Sequence, residues 1–95
     1  MIKEVAVENF TKIPEAVANG ANRIELNDNL AVGGTTPSFG VMQAASQYLA
    51  EKQIPLVVMI RPRGGNFVYN DTELKIMEAD LFQAQKLGVD AVTFG

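Results

Sequence analysis

Neither cysteine nor histidine occurs anywhere in the 95 residues. The first absence excludes a disulfide framework, a thiolate nucleophile and a thiolate metal centre, and removes any sign of an oxidising compartment. The second removes the commonest general base and the commonest zinc ligand, so chemistry within these residues falls to carboxylates, lysine or tyrosine. No apolar run approaches the roughly 20 residues that span a bilayer. The opening M-I-K-E-V-A-V-E lacks the basic region and apolar core of a secretion signal. An excess of positive charge is missing as well: 8 Lys and Arg stand against 11 Asp and Glu, a net charge of −3. That balance offers no footprint for nucleic acid or an acidic membrane. These absences predict a cytoplasmic protein with neither a nucleic-acid nor a membrane partner.

What is present is an alternation of strand and helix patterns. Residues 2–8, 23–27, 55–63 and 90–94 are short, rich in β-branched side chains and bounded by Gly, Asn, Asp or Pro, which predicts four strands. Between them, Phe10, Ile13 and Val17 lie at helical spacing with Gly20 as the stop. Ser38 is placed to cap a second helix whose apolar stripe is Val41, Met42, Ala45, Tyr48 and Leu49. Asn70, three residues before Glu73, predicts a capping box for a third helix with the stripe Leu74, Met77, Leu81 and Ala84, ending at Gly88. A weak internal repeat aligns A-V-A-N-G-A-N-R-I-E-L (16–26) with A-Q-K-L-G-V-D-A-V-T-F (84–94).

The order β-α-β-α-β-α-β implies a parallel sheet with right-handed crossovers. The chain reads as a single α/β domain over residues 1–95. Both lateral edges of its sheet are left open. A closed TIM-like (β/α)8 barrel takes roughly 250 residues, so the expectation is the N-terminal half of such a barrel, truncated after strand 4, or a sheet whose edges pair with another copy. A small self-contained open sheet is the competing architecture.

Alternation along the strands puts Glu4, Glu8, Arg23, Glu25, Asn27, Met59, Arg61 and Arg63 on the face opposite the helices. Glu4 and Arg23 sit near strand starts and suit a structural ion pair. Glu8, Asn27, Arg61 and Arg63 sit at strand C-termini, the face on which barrel enzymes build their sites. The stretch R-P-R-G-G (61–65) points to an anion site: Arg61 and Arg63 supply guanidinium forks, Pro62 stiffens the interval, and Gly64 and Gly65 can turn backbone N–H groups toward an anion. A second glycine pair, Gly33-Gly34, leads toward the N-terminus of the second helix. Glu8 and Glu25 are the candidate acid or base, which makes a barrel enzyme acting on a small phosphate or carboxylate the alternative function.

Three stretches, N-G-A-N-R-I-E-L (19–26), G-G-T-T-P-S-F-G-V (33–41) and M-I-R-P-R-G-G-N-F-V-Y-N-D (59–71), resemble the N-terminal part of the CutC copper homeostasis family, and the likeness covers essentially the whole chain. The resemblance implies a TIM-like barrel, a cytoplasmic location, oligomerisation and a role in copper tolerance or trafficking. Copper as a cofactor comes only from this resemblance. Where some members carry cysteine near the ends of the first two strands, this sequence has Ala6, Val7 and Asn27. Of the soft ligands that Cu(I) prefers, only Met1, Met42, Met59 and Met77 remain, so no metal ligands are assigned.

Overall fold

The computed structural model describes residues 1–95. Its elements are β1 (Glu4–Glu8), α1 (Ile13–Ala18), β2 (Arg23–Asn27), a short 3-10 turn (Leu30–Val32), α2 (Phe39–Lys52), β3 (Leu56–Ile60), α3 (Asp71–Lys86) and β4 (Ala91–Phe94). The four strands are all parallel and follow chain order, β1-β2-β3-β4. No strand-order reversal opens a crevice, which removes the premise of the self-contained open sheet. No helix is long and apolar enough to cross a membrane.

Local chemistry accounts for the helices. Pro14 lies in the first turn of α1, where a missing N–H is harmless. The Ser38 hydroxyl accepts from the N–H of Val41 at 3.2 Å and starts α2, whose Met42, Ala45 and Leu49 are buried at one-face spacing. Asn70 and Glu73 form the full reciprocal capping box of α3, with the Glu73 N–H on Asn70 Oδ1 at 2.8 Å and the Asn70 N–H on Glu73 Oε1 at 3.0 Å. The helices bury Val7, Ile24, Leu26, Leu56, Val58 and Ile60 on the sheet's outer face, as the alternation requires.

Three expectations need correction. The first strand begins at Glu4 and the fourth at Ala91, each later than the apolar pattern suggests. The third ends at Ile60, so Arg61 and Arg63 stand in the loop that follows it and not on the strand. In the third helix, Leu74 is 52% exposed and drops out of the packed stripe, because no element of this chain covers that turn.

The sequence repeat is a structural repeat. The N–H of Ala21 reaches back to Ala16 O at 3.0 Å, and that of Val89 to Ala84 O at 3.4 Å. In each joint a glycine at positive φ, Gly20 at 94° or Gly88 at 77°, makes the reversal. Two residues past each glycine, a side chain then pins the neighbouring strand. Asn22 Oδ1 accepts from the Lys3 N–H at 2.7 Å and Asp90 Oδ2 from the Leu56 N–H at 2.8 Å. The backbone N–H groups of Asn22 and Asp90 return the bond to Lys3 O and Leu56 O, each at 3.0 Å.

The joint after α2 differs. It reverses through Gln53, an L-residue held at φ 58°. Left-handed backbone costs an L-residue about 1–2 kcal/mol, part of which glycine loses again through its freer unfolded chain. Gln53→Gly is therefore expected to stabilise the chain by about 0.5–1 kcal/mol, seen as a higher urea midpoint at unchanged slope.

Candidate functional site

The C-terminal ends of β1 to β4 present Glu8, Asn27, Arg61 and Gly95, and the loop between β2 and α2 folds back over them. That loop is pinned by a bridge between Asp28 and Thr35 and by Thr36, whose N–H donates to Arg61 O at 2.9 Å while its hydroxyl accepts the Arg61 N–H at 2.8 Å. Capture by Thr36 is why β3 stops where it does: the Arg61 backbone is diverted from the sheet, and Pro62 has no N–H to resume it.

The Arg61 side chain is 4% exposed. Its Nη1 donates to Val32 O at 2.5 Å and Gly34 O at 3.1 Å, and its Nη2 to Gly65 O at 2.9 Å. The Phe67 ring lies 4.7 Å from the guanidinium carbon. One cation thus ties the β2–α2 loop to the β3–α3 loop. None of the chain's ion pairs, Lys12–Glu15, Arg23–Glu4 and Arg63–Glu73, involves Arg61. Its Nε is buried with no hydrogen-bond partner. A buried guanidinium without a counter-ion is costly, and this one is solvated only by carbonyl dipoles and a ring face.

Arg63 has a different fate. Its Nε bonds Glu73, Nη1 donates to Gly64 O at 3.1 Å and Asn66 O at 2.7 Å, and Nη2 to Val68 O at 2.7 Å and Glu73 Oε1 at 3.3 Å. The Arg63 hydrogen bond, followed by that from the Asn70 backbone, holds the Glu73 carboxyl below its usual range of about 4.5. The charge of Arg63 is therefore already matched within the chain. The two arginines expected to act together are divided: Arg61 serves the loop crown, and Arg63 serves the start of α3.

The glycine pair supplies free donors. The backbone N–H groups of Arg63, Gly64, Gly65, Asn66 and Phe67 donate to no acceptor within the chain. Gly65 adopts φ 87°, a conformation that lets successive N–H groups converge as in an anion-binding nest. Glu8 and Glu25 lie on the same face of the sheet, each engaged through one carboxylate oxygen. Glu8 Oε1 accepts the Leu30 N–H at 2.7 Å, and Glu25 Oε1 accepts Asn27 Nδ2 at 3.1 Å. In register Glu8 stands beside Asn27 and Glu25 beside Ala6 and Val57, so the two acids are not neighbours across the ladder. At the other end of the sheet, Arg23 pairs with Glu4, the structural layer expected there.

Sequence reasoning did not single out Thr36, Phe67 or Tyr69. Tyr69 donates its hydroxyl to Gly95 O at 2.7 Å and lies 5.2 Å beneath the Arg63 guanidinium carbon. Aromatics alternating directly after an arginine-glycine run are the one local signal that would have found Phe67 and Tyr69. Nothing local marks Thr36.

The residues present do not fit a Cu(I) centre. No group of three or more His, Cys, Asp or Glu converges anywhere. Met42 is 1% exposed within the core, and Met59, 9% exposed, is a lone thioether on the inward face.

Comparison with known proteins agrees with this architecture. The model of the CutC family matches residues 1–95. The chain is 63% identical over 95 residues to a family protein CutC of Enterococcus faecalis, covering 46% of that protein. It is 47% identical over 94 residues to the human copper homeostasis protein cutC homolog, covering 33% of it. A CutC crystal structure from Streptococcus agalactiae superposes with a TM-score of 0.92 at 55% identity, over 97% of this chain and 44% of that one. The chain thus spans between a third and a half of the length of these relatives. Its four parallel βα-linked strands are those of a TIM-like barrel. With the family model covering every residue, the chain belongs to the CutC family.

Proposed function

We propose that the chain serves a cytoplasmic copper homeostasis protein, and that its own contribution is a small-anion site at the C-terminal ends of the strands. The relatives' names supply the copper role. The observation that carries the anion site is the Arg61 guanidinium, buried to 4% exposure and matched by no carboxylate. An anion beside it gains from an uncompensated charge in a low-dielectric setting and from the free amides of residues 63–67. Arg63, Gly64 and Gly65 belong to the site as its frame: Arg63 holds the loop against α3, and the glycines give it its N–H groups.

A second reading, an enzyme acting on a phosphate or carboxylate, rests on Glu8 and Glu25 facing the same side as Arg61. Each acid accepts an N–H through Oε1 only, which leaves its Oε2 for proton transfer.

Inorganic phosphate titrated at constant ionic strength tests the proposal. A ligand at 100 times its Kd stabilises by about 2.7 kcal/mol, which for a domain of this size raises Tm by roughly 10 °C or more. The rise should saturate, should be absent with chloride, and should survive in Arg23→Gln, whose side chain pairs with Glu4 at the other end of the sheet. A chloride response of equal size, or none with phosphate, contradicts the anion site. Cu(I) titrated into the same protein against a competing chelator should reveal no stoichiometric tight site. Such a site would move the copper role onto these residues directly.

A further inference from the structure

Two consecutive residues of the loop before α2 tie two strand ends together. Thr35 exchanges both backbone hydrogen bonds with Asp28, one residue past β2, at 2.7 and 2.9 Å, and Thr36 holds Arg61, one residue past β3. Pro37 biases Thr36 toward extended backbone, and neighbouring residues of an extended chain offer their N–H and C=O groups to opposite sides. The Thr36 hydroxyl adds what the backbone alone cannot. Its oxygen accepts the Arg61 N–H at 2.8 Å, and it donates in turn to Arg61 O at 3.0 Å, where the Thr36 N–H also donates at 2.9 Å. Any residue but proline could supply that last bond; serving both main-chain groups of Arg61 at once takes a side chain that is donor and acceptor together.

Both halves of the candidate anion site start from this clamp. The guanidinium leaves the Arg61 Cα toward Val32 O, Gly34 O and Gly65 O. The free N–H groups of residues 63–67 begin two residues further along, across Pro62, whose ring fixes φ. Val32 and Gly34 belong to the same loop as Thr36, so the clamp also sets how far the guanidinium lies from the carbonyls that hold it.

We infer, resting on the anion site proposed above, that Thr36 is its positioning residue: the hydroxyl holds the Arg61 main chain in the orientation from which the cation and the amides of residues 63–67 reach one anion. Thr36 itself touches no ligand and acts through Arg61.

Thr36→Val keeps the branched shape without the hydroxyl, and Thr36→Ser keeps the hydroxyl. Calorimetric titration with inorganic phosphate at constant ionic strength should give an affinity about ten-fold weaker in Thr36→Val, the worth of about one hydrogen bond in an equilibrium constant, and within about two-fold of wild type in Thr36→Ser. A merely structural threonine would lower the urea midpoint of Thr36→Val and leave the Kd of the folded protein unchanged. Coupling is reciprocal, so in the wild-type protein saturating phosphate should slow hydrogen exchange of the Arg61 amide by the same factor, while the Asn22 amide, bonded to Lys3 O at the other end of the sheet, keeps its rate. That measurement decides the matter even where Thr36→Val does not fold. Wild-type affinity in Thr36→Val, a serine variant as weak as the valine one, or an Arg61 amide slowed no more than that of Asn22 overturns the positioning role and leaves the anion site standing. A wild-type protein that takes up no phosphate removes both.

Discussion

Replacing Arg61 by leucine is expected to lower the unfolding free energy by about 3 kcal/mol, the largest loss among the polar side chains. The change leaves the carbonyls of Val32, Gly34 and Gly65 without their donor; that of Gly34 is buried, and a buried group so orphaned costs about 1–3 kcal/mol, while the packing of the Arg61 stem between two loops is lost as well. Relief of burying a charge without a counter-ion offsets part of that sum. For a domain of this size the net effect is a fall in Tm of roughly 12–24 °C. Arg61→Lys keeps the charge, but one ammonium cannot fork to two loops at once, so most of the loss should remain. Arg63→Leu is the informative contrast. Its side chain is 36% exposed and its partner Glu73 stays capped to Asn70, which places the expected loss near 1 kcal/mol. Urea denaturation of the three variants measures all of this, and equal losses at 61 and 63 would mean that burial of Arg61 is not what matters.

Gly34→Ala is the second large expected effect. Gly34 has φ +96°, and a Cβ there would lie 2.3 Å from Asn27 Oδ1 and 3.1 Å from its Cγ. Asn27 is fully buried and held through Nδ2 by Glu25, so it cannot swing aside. Strain from the left-handed backbone is about 1–2 kcal/mol, and displacing a packed, hydrogen-bonded side chain should add about 2 more. Gly20→Ala separates the two causes, because Gly20 has φ +94° but nothing within 4 Å of the added carbon. It should lose only the backbone part. A double-mutant cycle completes the argument: Asn27→Ala should recover the steric part in Gly34→Ala and leave the backbone part in place. Additive losses would show that the two residues do not meet as described.

Much of this was legible in the sequence because the signals were local. Ser38 and the Asn70–Glu73 box mark their helix starts by spacing alone, and both form. Alternation sorted the strand residues correctly: Val58 and Ile60 are buried under the helices, while Arg61 keeps its inward side even after the strand has ended. What escaped depends on partners far along the chain. The diversion of β3 at Arg61 is caused by Thr36, 25 residues away, and no pattern within 55–63 could announce it. Arg61 and Arg63 look equivalent in sequence, yet one finds carbonyls of a distant loop and the other finds Glu73 across a capping box. Leu74 has the spacing of a core residue, but spacing does not say whether anything lies on the far side of the helix.

The central claim is that a buried, uncompensated Arg61 cation draws an anion to the strand ends. Side-chain nitrogen NMR of the arginines tests it most directly, with resonances assigned by their loss in Arg→Lys variants. On adding phosphate at constant ionic strength, the Arg61 Nε–H signal should move saturably while those of Arg23 and Arg63, already paired with Glu4 and Glu73, stay in place. Movement of the Arg63 signal with Arg61 unchanged, or no movement at any arginine, would contradict the account.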